Sequence, residues 1–149
     1  MQRRGSTSKR RCIHSIVDAR LLTGLFAVAV ALGAPGRRWN GPASLLAHLG
    51  RVGTALAGAV AAVCVNNLPA AVLLTPHAPE HPRALLIGLN LGPNLAITGS
   101  LSAYLWLRVA RSLGASPSVR VYSSVGVVLV PLSLGAALGA LWLVAPGRL

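Results

Sequence analysis

Acidic side chains are almost missing from this sequence: Asp18 and Glu80 are the only two, against fourteen Lys plus Arg in 149 residues. So few carboxylates leave little for general acid/base chemistry, and no paired carboxylates, catalytic triad or GxxxxGK phosphate loop can be assembled. Cysteine is scarce too. Cys12 and Cys64 have no CxxC or His/Cys spacing near them, which gives neither a disulfide framework nor a zinc site. An enzyme is therefore not expected, and no cofactor or metal is implied. Charged residues of all kinds make up 11%, hydrophobic residues 54%, and the mean hydropathy is +0.65, too apolar for an ordinary soluble domain of this size. Such a chain needs a non-aqueous solvent.

The formal charge of +12 would by itself suggest nucleic acid. Position argues otherwise. Most of the arginines lie in the N-terminal tail (Arg3, Arg4, Arg10, Arg11, Arg20) or between apolar stretches (Arg37, Arg38, Arg51, Arg83, Arg108, Arg111, Arg120), as membrane-flanking charge does. No basic face with interleaved aromatics is present, so the expected partner is a lipid bilayer and not nucleic acid. The preference for Arg over Lys, with heavy use of Ala, Gly, Leu and Val, points to a high-GC bacterial genome and hence to a multi-pass protein of the plasma (inner) membrane.

Four stretches, residues 21–36, 52–75, 84–107 and 121–147, contain no Asp, Glu, Lys, Arg or His. The second and third would each extend about 36 Å as helices, enough for a hydrocarbon core of roughly 30 Å. The fourth is equally sufficient. The first is shorter, and three readings stand beside one another: a tilted or partial span, a helix extended back through residues 17–20, or the apolar region of a secretory signal. The arginine-rich residues 3–11 and Leu32-Gly33-Ala34-Pro35 suit the last, and the Ser-rich start also resembles a transit peptide. Turn chemistry marks the connections at Ala34-Pro35-Gly36, Asn40-Gly41-Pro42, Pro76 to Pro82 and Gly114 to Pro117. The expected organisation is a disordered basic tail over 1–16 and a membrane domain over 17–149. With four simple spans the arginines divide about evenly between the two sides, so orientation stays open.

Two stretches are interrupted. Asn66-Asn67-Leu68-Pro69 places two amides in apolar surroundings, at several kcal/mol unless they are paired. Pro69 lacks an N–H and clashes with the carbonyl of Val65, so a helix should kink or break there. Gly88-Leu89-Asn90-Leu91-Gly92-Pro93-Asn94 repeats the device: Pro93 frees the Leu89 carbonyl, Asn90 and Asn94 flank the break, and Thr98-Gly99-Ser100 begin the continuation. Interrupted hydrophobic helices in succession point to a carrier's binding site, where half-helix ends face solute or ions. A satisfied interhelical hydrogen bond is the plainer alternative. Pro131, Gly126, Gly135 and Gly139 in the last stretch read as kink and packing residues.

Other candidates have ordinary explanations. Cys64 could offer a thiolate as a soft ligand, and is equally a small buried hydrophobe. His14, His48, His77 and His81 titrate near neutral pH but fall in the tail and loops. Arg108 and Arg111, after Tyr104 and Trp106, read as an interfacial anchor, and Trp39 and Trp142 fall near segment ends.

The residues NNLPAAVLL (66–74) and ALLIGLNLGPNLAITGSLSAYLWLRVAR (84–111) resemble the arsenite permease (arsenical pump membrane protein) branch of the ion transporter superfamily, which also holds citrate and sodium/dicarboxylate carriers. The resemblance runs from about Asp18 to the C-terminus, and GLNLGPNL followed by TGSL and LWL is its most specific part. It implies an all-α integral membrane protein of about four hydrophobic segments, two of them broken helices, forming the C-terminal repeat of an inverted-repeat carrier. It implies substrate or ion contacts at Asn66, Asn67, Pro69, Asn90, Gly92, Pro93, Asn94, Thr98, Gly99 and Ser100. The implied activity is proton-driven efflux of arsenite or a related oxyanion or metalloid. Only the second repeat is recognisable, so a separate N-terminal repeat chain or a homo-oligomer is the expected partner. A dicarboxylate or anion symporter fragment, and a non-transporting accessory subunit or remnant, remain alternatives.

Overall fold

The computed structural model describes residues 19–144, and all regular structure among them is helical, in agreement with the expected all-α class. The tail expected over 1–16, with Cys12 and His14, lies outside the described residues. In chain order the elements are α1 (Ala19–Arg38), α2 (Gly41–Ala47), α3 (Arg51–Val65), α4 (Asn67–Leu74), α5 (Pro82–Leu91), two short 3-10 turns (Gly92–Leu95 and Ile97–Gly99), α6 (Leu101–Ser112) and α7 (Val119–Val144).

The turn expected at residues 34–36 does not form, because α1 continues through Pro35 and Gly36 to Arg37 and Arg38. A proline in the closing turn removes only one hydrogen bond, and two cations suit the negative end of the helix dipole. The break falls later, at Asn40, where Pro42 enters the first turn of α2.

The single span expected over 52–75 is folded in two. Helix α3 has 15 residues, about 22 Å. Helix α2 adjoins the start of α3 and α4 follows its end, yet α2 and α4 are in contact. A collinear continuation would hold them apart by the full length of α3, so the chain reverses at Asn66 and α4 returns beside α3. Leu46 of α2, Ala62 of α3, Ala70 and Leu74 of α4, and Leu85 and Leu89 of α5 share one buried cluster. The third stretch also departs from a continuous span. Helix α5 stops at Leu91, the two 3-10 turns are separated by an extended Ala96, and Ser100 is extended again before α6 begins at Leu101. The continuation expected from Thr98 thus starts at Leu101. Helix α7, 26 residues and about 39 Å, runs uninterrupted through Pro131. Among the described residues it is the one helix long and apolar enough to cross a bilayer by itself.

Small residues set the packing. Gly88 lies directly against the backbone oxygen of Ala55, and Gly92 against the backbone of Ala59, so a Cβ at either position would enter occupied space. Both pairs advance by four residues in the same direction, so α3 and α5 run parallel with their backbones touching. Helix α7 runs the other way: Gly126 packs on Asn94 and Leu95, while Val130 and Leu134 cluster with Leu91, Ile87 and Ala59. The interior is correspondingly rich in alanine, with Ala29, Ala55, Ala59, Ala62, Ala70, Ala84 and Ala103 buried. Large apolar side chains face outward. On α7 only Gly126, Val130 and Leu134 are buried, and Val121, Val125, Val127, Val128, Leu129 and Leu132 are all more than half exposed.

Candidate functional site

The parallel register of α3 and α5 decides where the two chain breaks fall. Beyond the Gly92–Ala59 contact, α3 has six residues left, about 9 Å. The 3-10 turns climb a comparable distance from Gly92, and Ile97–Gly99 packs against α3. The reversal at Asn66 and the unwound residues 92–100 therefore lie at one level along α3, beside the first half of α7, where Gly126 packs on Asn94 and Leu95.

At the reversal, Asn66 adopts φ 75° and ψ 153°, and it is the one residue other than glycine with positive φ among those described. With ψ extended, this lies outside the left-handed helical region and is a conformation otherwise taken almost only by glycine, so the backbone is strained at the reversal. Its Oδ1 accepts a long 3.5 Å bond from the Leu68 N–H, and its carbonyl accepts from the Ala70 N–H at 3.0 Å. Asn67 begins α4 half-buried, and Pro69 is buried in the first turn of α4, where its missing N–H is no loss. Across from them, Gly92 and Pro93 are buried in the first 3-10 turn, Thr98 is exposed, and Gly99 folds back onto Pro93. Ser100 is buried and its Oγ lies 2.6 Å from Ser102 Oγ. Helix α6 has no side-chain cap, and its first internal bond runs from the Tyr104 N–H to the Ser100 carbonyl, so the N–H groups of residues 101–103 point out of its positive end.

Asn90 and Asn94 take a different position. Around α5, Leu85, Gly88 and Gly92 face α3, Leu85 and Leu89 belong to the cluster shared with α4, and Ile87 and Leu91 face α7. Leu86 and Asn90 occupy the remaining, exposed flank. Asn90 Nδ2 donates to the Leu86 carbonyl at 2.8 Å, and Asn94 Nδ2 to the Asn90 and Leu91 carbonyls at 3.4 and 3.3 Å. Asn94 lines an open cleft of about 530 Å³ with Trp106, Tyr122, Val125 and Leu129, where the Trp106 and Tyr122 rings lie 6.4 Å apart. The ten residues thus divide: Asn66, Asn67, Pro69, Gly92, Pro93, Thr98, Gly99 and Ser100 gather about the two breaks, while Asn90 and Asn94 point outward.

No protein family, curated protein or solved structure matches this chain.

The remaining candidates lie away from the breaks. Glu80, the one acid among the described residues, shares a cleft of about 230 Å³ with Arg51, His81 and Arg83 at the start of α3 and α5. His48 Nδ1 lies 2.7 Å from the Ser44 carbonyl, and His77 is exposed in the loop before α5. Cys64 is a free thiol in a groove of about 440 Å³ between α3 and α7, lined by residues such as Val60, Leu95, Pro131 and Leu134 and by no second Cys, His, Asp or Glu. No group of three possible metal ligands occurs among the described residues. Ser102, partner of Ser100, escapes the sequence reading because serine is common at a helix start. The spacing of Ala84, Gly88 and Gly92 is the one sequence signal that points to the α3–α5 contact aligning the two breaks.

Proposed function

We propose that this chain is the membrane-embedded half of a secondary carrier, binding its solute where the α3–α4 reversal meets the unwound residues 92–100. The observation that carries this reading is that two helices are interrupted at one level along α3, between apolar surfaces that face outward. Exposed Val, Leu and Trp around an alanine-rich interior is the reverse of the ordering water imposes, and is the arrangement expected when lipid surrounds the helices and small residues bring them together. On this reading α1, α5–α6 and α7 cross the bilayer of a bacterial plasma membrane, while α3–α4 enters and leaves from one side.

The donors at the breaks suit an oxyanion or a neutral metalloid hydroxide: the N–H groups opening α6, the hydroxyls of Thr98, Ser100 and Ser102, and the amides of Asn66 and Asn67. Glu80 is at the far end of α5, so no carboxylate among the described residues repels an anion there. With the arsenite-permease resemblance of residues 66–74 and 84–111, arsenite is the solute of choice and efflux the direction.

The test is arsenite accumulation in sensitive cells expressing the chain alone, or with the N-terminal repeat of a full-length arsenite permease, with insertion verified by detergent-dependent extraction. Lowered accumulation, lost in Asn67→Leu, is expected. Sodium-dependent uptake of a dicarboxylate in its place would favour the symporter reading. An inserted chain that moves neither solute in either setting would leave an accessory membrane subunit.

A further inference from the structure

We infer that the flank formed by Leu86 and Asn90 of α5 and by Asn94 in the 3-10 turn beyond it binds a second copy of this chain, side by side in the same orientation, through paired asparagine amides. The inference rests on the membrane reading above, because an unmet amide is costly only out of water. Each of the two amides uses only its Nδ2 group, and only on carbonyls of its own helix region. Neither Oδ1 accepts a hydrogen bond among the described residues, and each Asn90 keeps a second N–H free. Both side chains are exposed, on a flank with Leu86 at 56% exposure and, across the Asn94 cleft, Val125 and Leu129 at 56% and 54%. A surface otherwise apolar therefore carries two polar points, one helical turn apart, that each lack an acceptor's partner.

The electrostatic pattern selects the occupant. An amide carries a partial negative oxygen and a partial positive N–H side by side, so it complements a second amide, and asparagines on apolar helices associate in this way in membranes. An isologous contact supplies that second amide without any other chain. Two registers pair every amide. With the two-fold axis along α5, Asn90 meets Asn90 and Asn94 meets Asn94; with the copies inverted about Gly92, each Asn90 meets the other copy's Asn94. Identical chains insert into a membrane with one orientation, so the side-by-side register is the one expected.

The experiment uses the full chain in native membranes, with Cys12→Ser and Cys64→Ala to remove its own thiols and Leu86→Cys as reporter. After mild oxidation, a disulfide-linked dimer is expected on non-reducing gels. Asn90→Leu should lower its yield about tenfold, the order expected for losing an interhelical amide pair, and Asn90→Gln should retain most of it. Val60→Cys, on the far side of α3, should give none. Inverted copies would instead join Leu86→Cys only to Thr98→Cys on co-expression, which would overturn the orientation and with it the proposal. No Leu86→Cys dimer in the detergent-extractable fraction, or a dimer indifferent to Asn90→Leu, would overturn it outright while leaving the membrane reading intact. A chain that sediments free of membranes would sink the membrane reading, and the amide pairing with it.

Discussion

Asn66 carries the sharpest local demand on the backbone. A β-branched side chain at φ 75° crowds its own carbonyl, so Asn66→Val should destabilise the fold by about 1–3 kcal/mol. Asn66→Gly removes only the long capping bond to Leu68 and relieves the strained backbone, and should leave the chain as stable as the parent or about 1 kcal/mol more so. Unfolding by a denaturing detergent, followed by circular dichroism, separates the two. Equal stabilities would mean that the reversal does not sit at this residue. This site was half legible in the sequence. Two amides before a proline announce a break, because proline forbids the continuation and amides are dear in apolar surroundings. Nothing in Asn66-Asn67-Leu68-Pro69 says which way the chain leaves, and 24 residues suit a straight span and a hairpin equally in composition.

Between elements, the decisive contact is α3 on α5. Gly88→Ala places a methyl against the Ala55 backbone oxygen and should cost about 1–3 kcal/mol by forcing the helices apart. Since the obstacle is main chain, Ala55→Gly in the same molecule should not restore stability, which the same unfolding measurement checks. Rescue by Ala55→Gly would mean that the helices are spaced by side chains after all. Glycines at 88 and 92 read in sequence only as part of a break. Their role in drawing two backbones together depends on which helix is the neighbour, and that is set by the α4 reversal. The outward placement of Asn90 was hidden for a related reason: its spacing from Gly88 fixes its angle on α5, but not which angles are already occupied by α3, α4 and α7.

For the molecule as a whole, the proposed membrane reading together with the helix order would turn four apolar stretches into three crossings and one re-entrant hairpin. Both ends of that hairpin then belong on one side of the membrane and the α6–α7 connection on the other. In sealed vesicles of the chain freed of native thiols, His48→Cys and His77→Cys should react with an impermeant maleimide from the same side, and Leu113→Cys only from the opposite one. Labelling of residues 48 and 77 from opposite sides would restore a full span over 52–75. The apolar stretches, the flanking arginines and the helical class were plain from composition. The path of the chain through residues 52–75 was not, because it depends on a single change of direction at Asn66.

The backbone contact along α3 and α5 has a mechanical corollary. Two helices joined main chain to main chain by Gly88 and Gly92 cannot slide or splay without opening a void, so they would swing as one stiff lever. At the top the chain is interrupted on both helices, at Asn66 and across residues 92–100. A solute lodged there would sit at the fulcrum, where a tilt too small to disturb the rest of the bundle changes both of its walls at once.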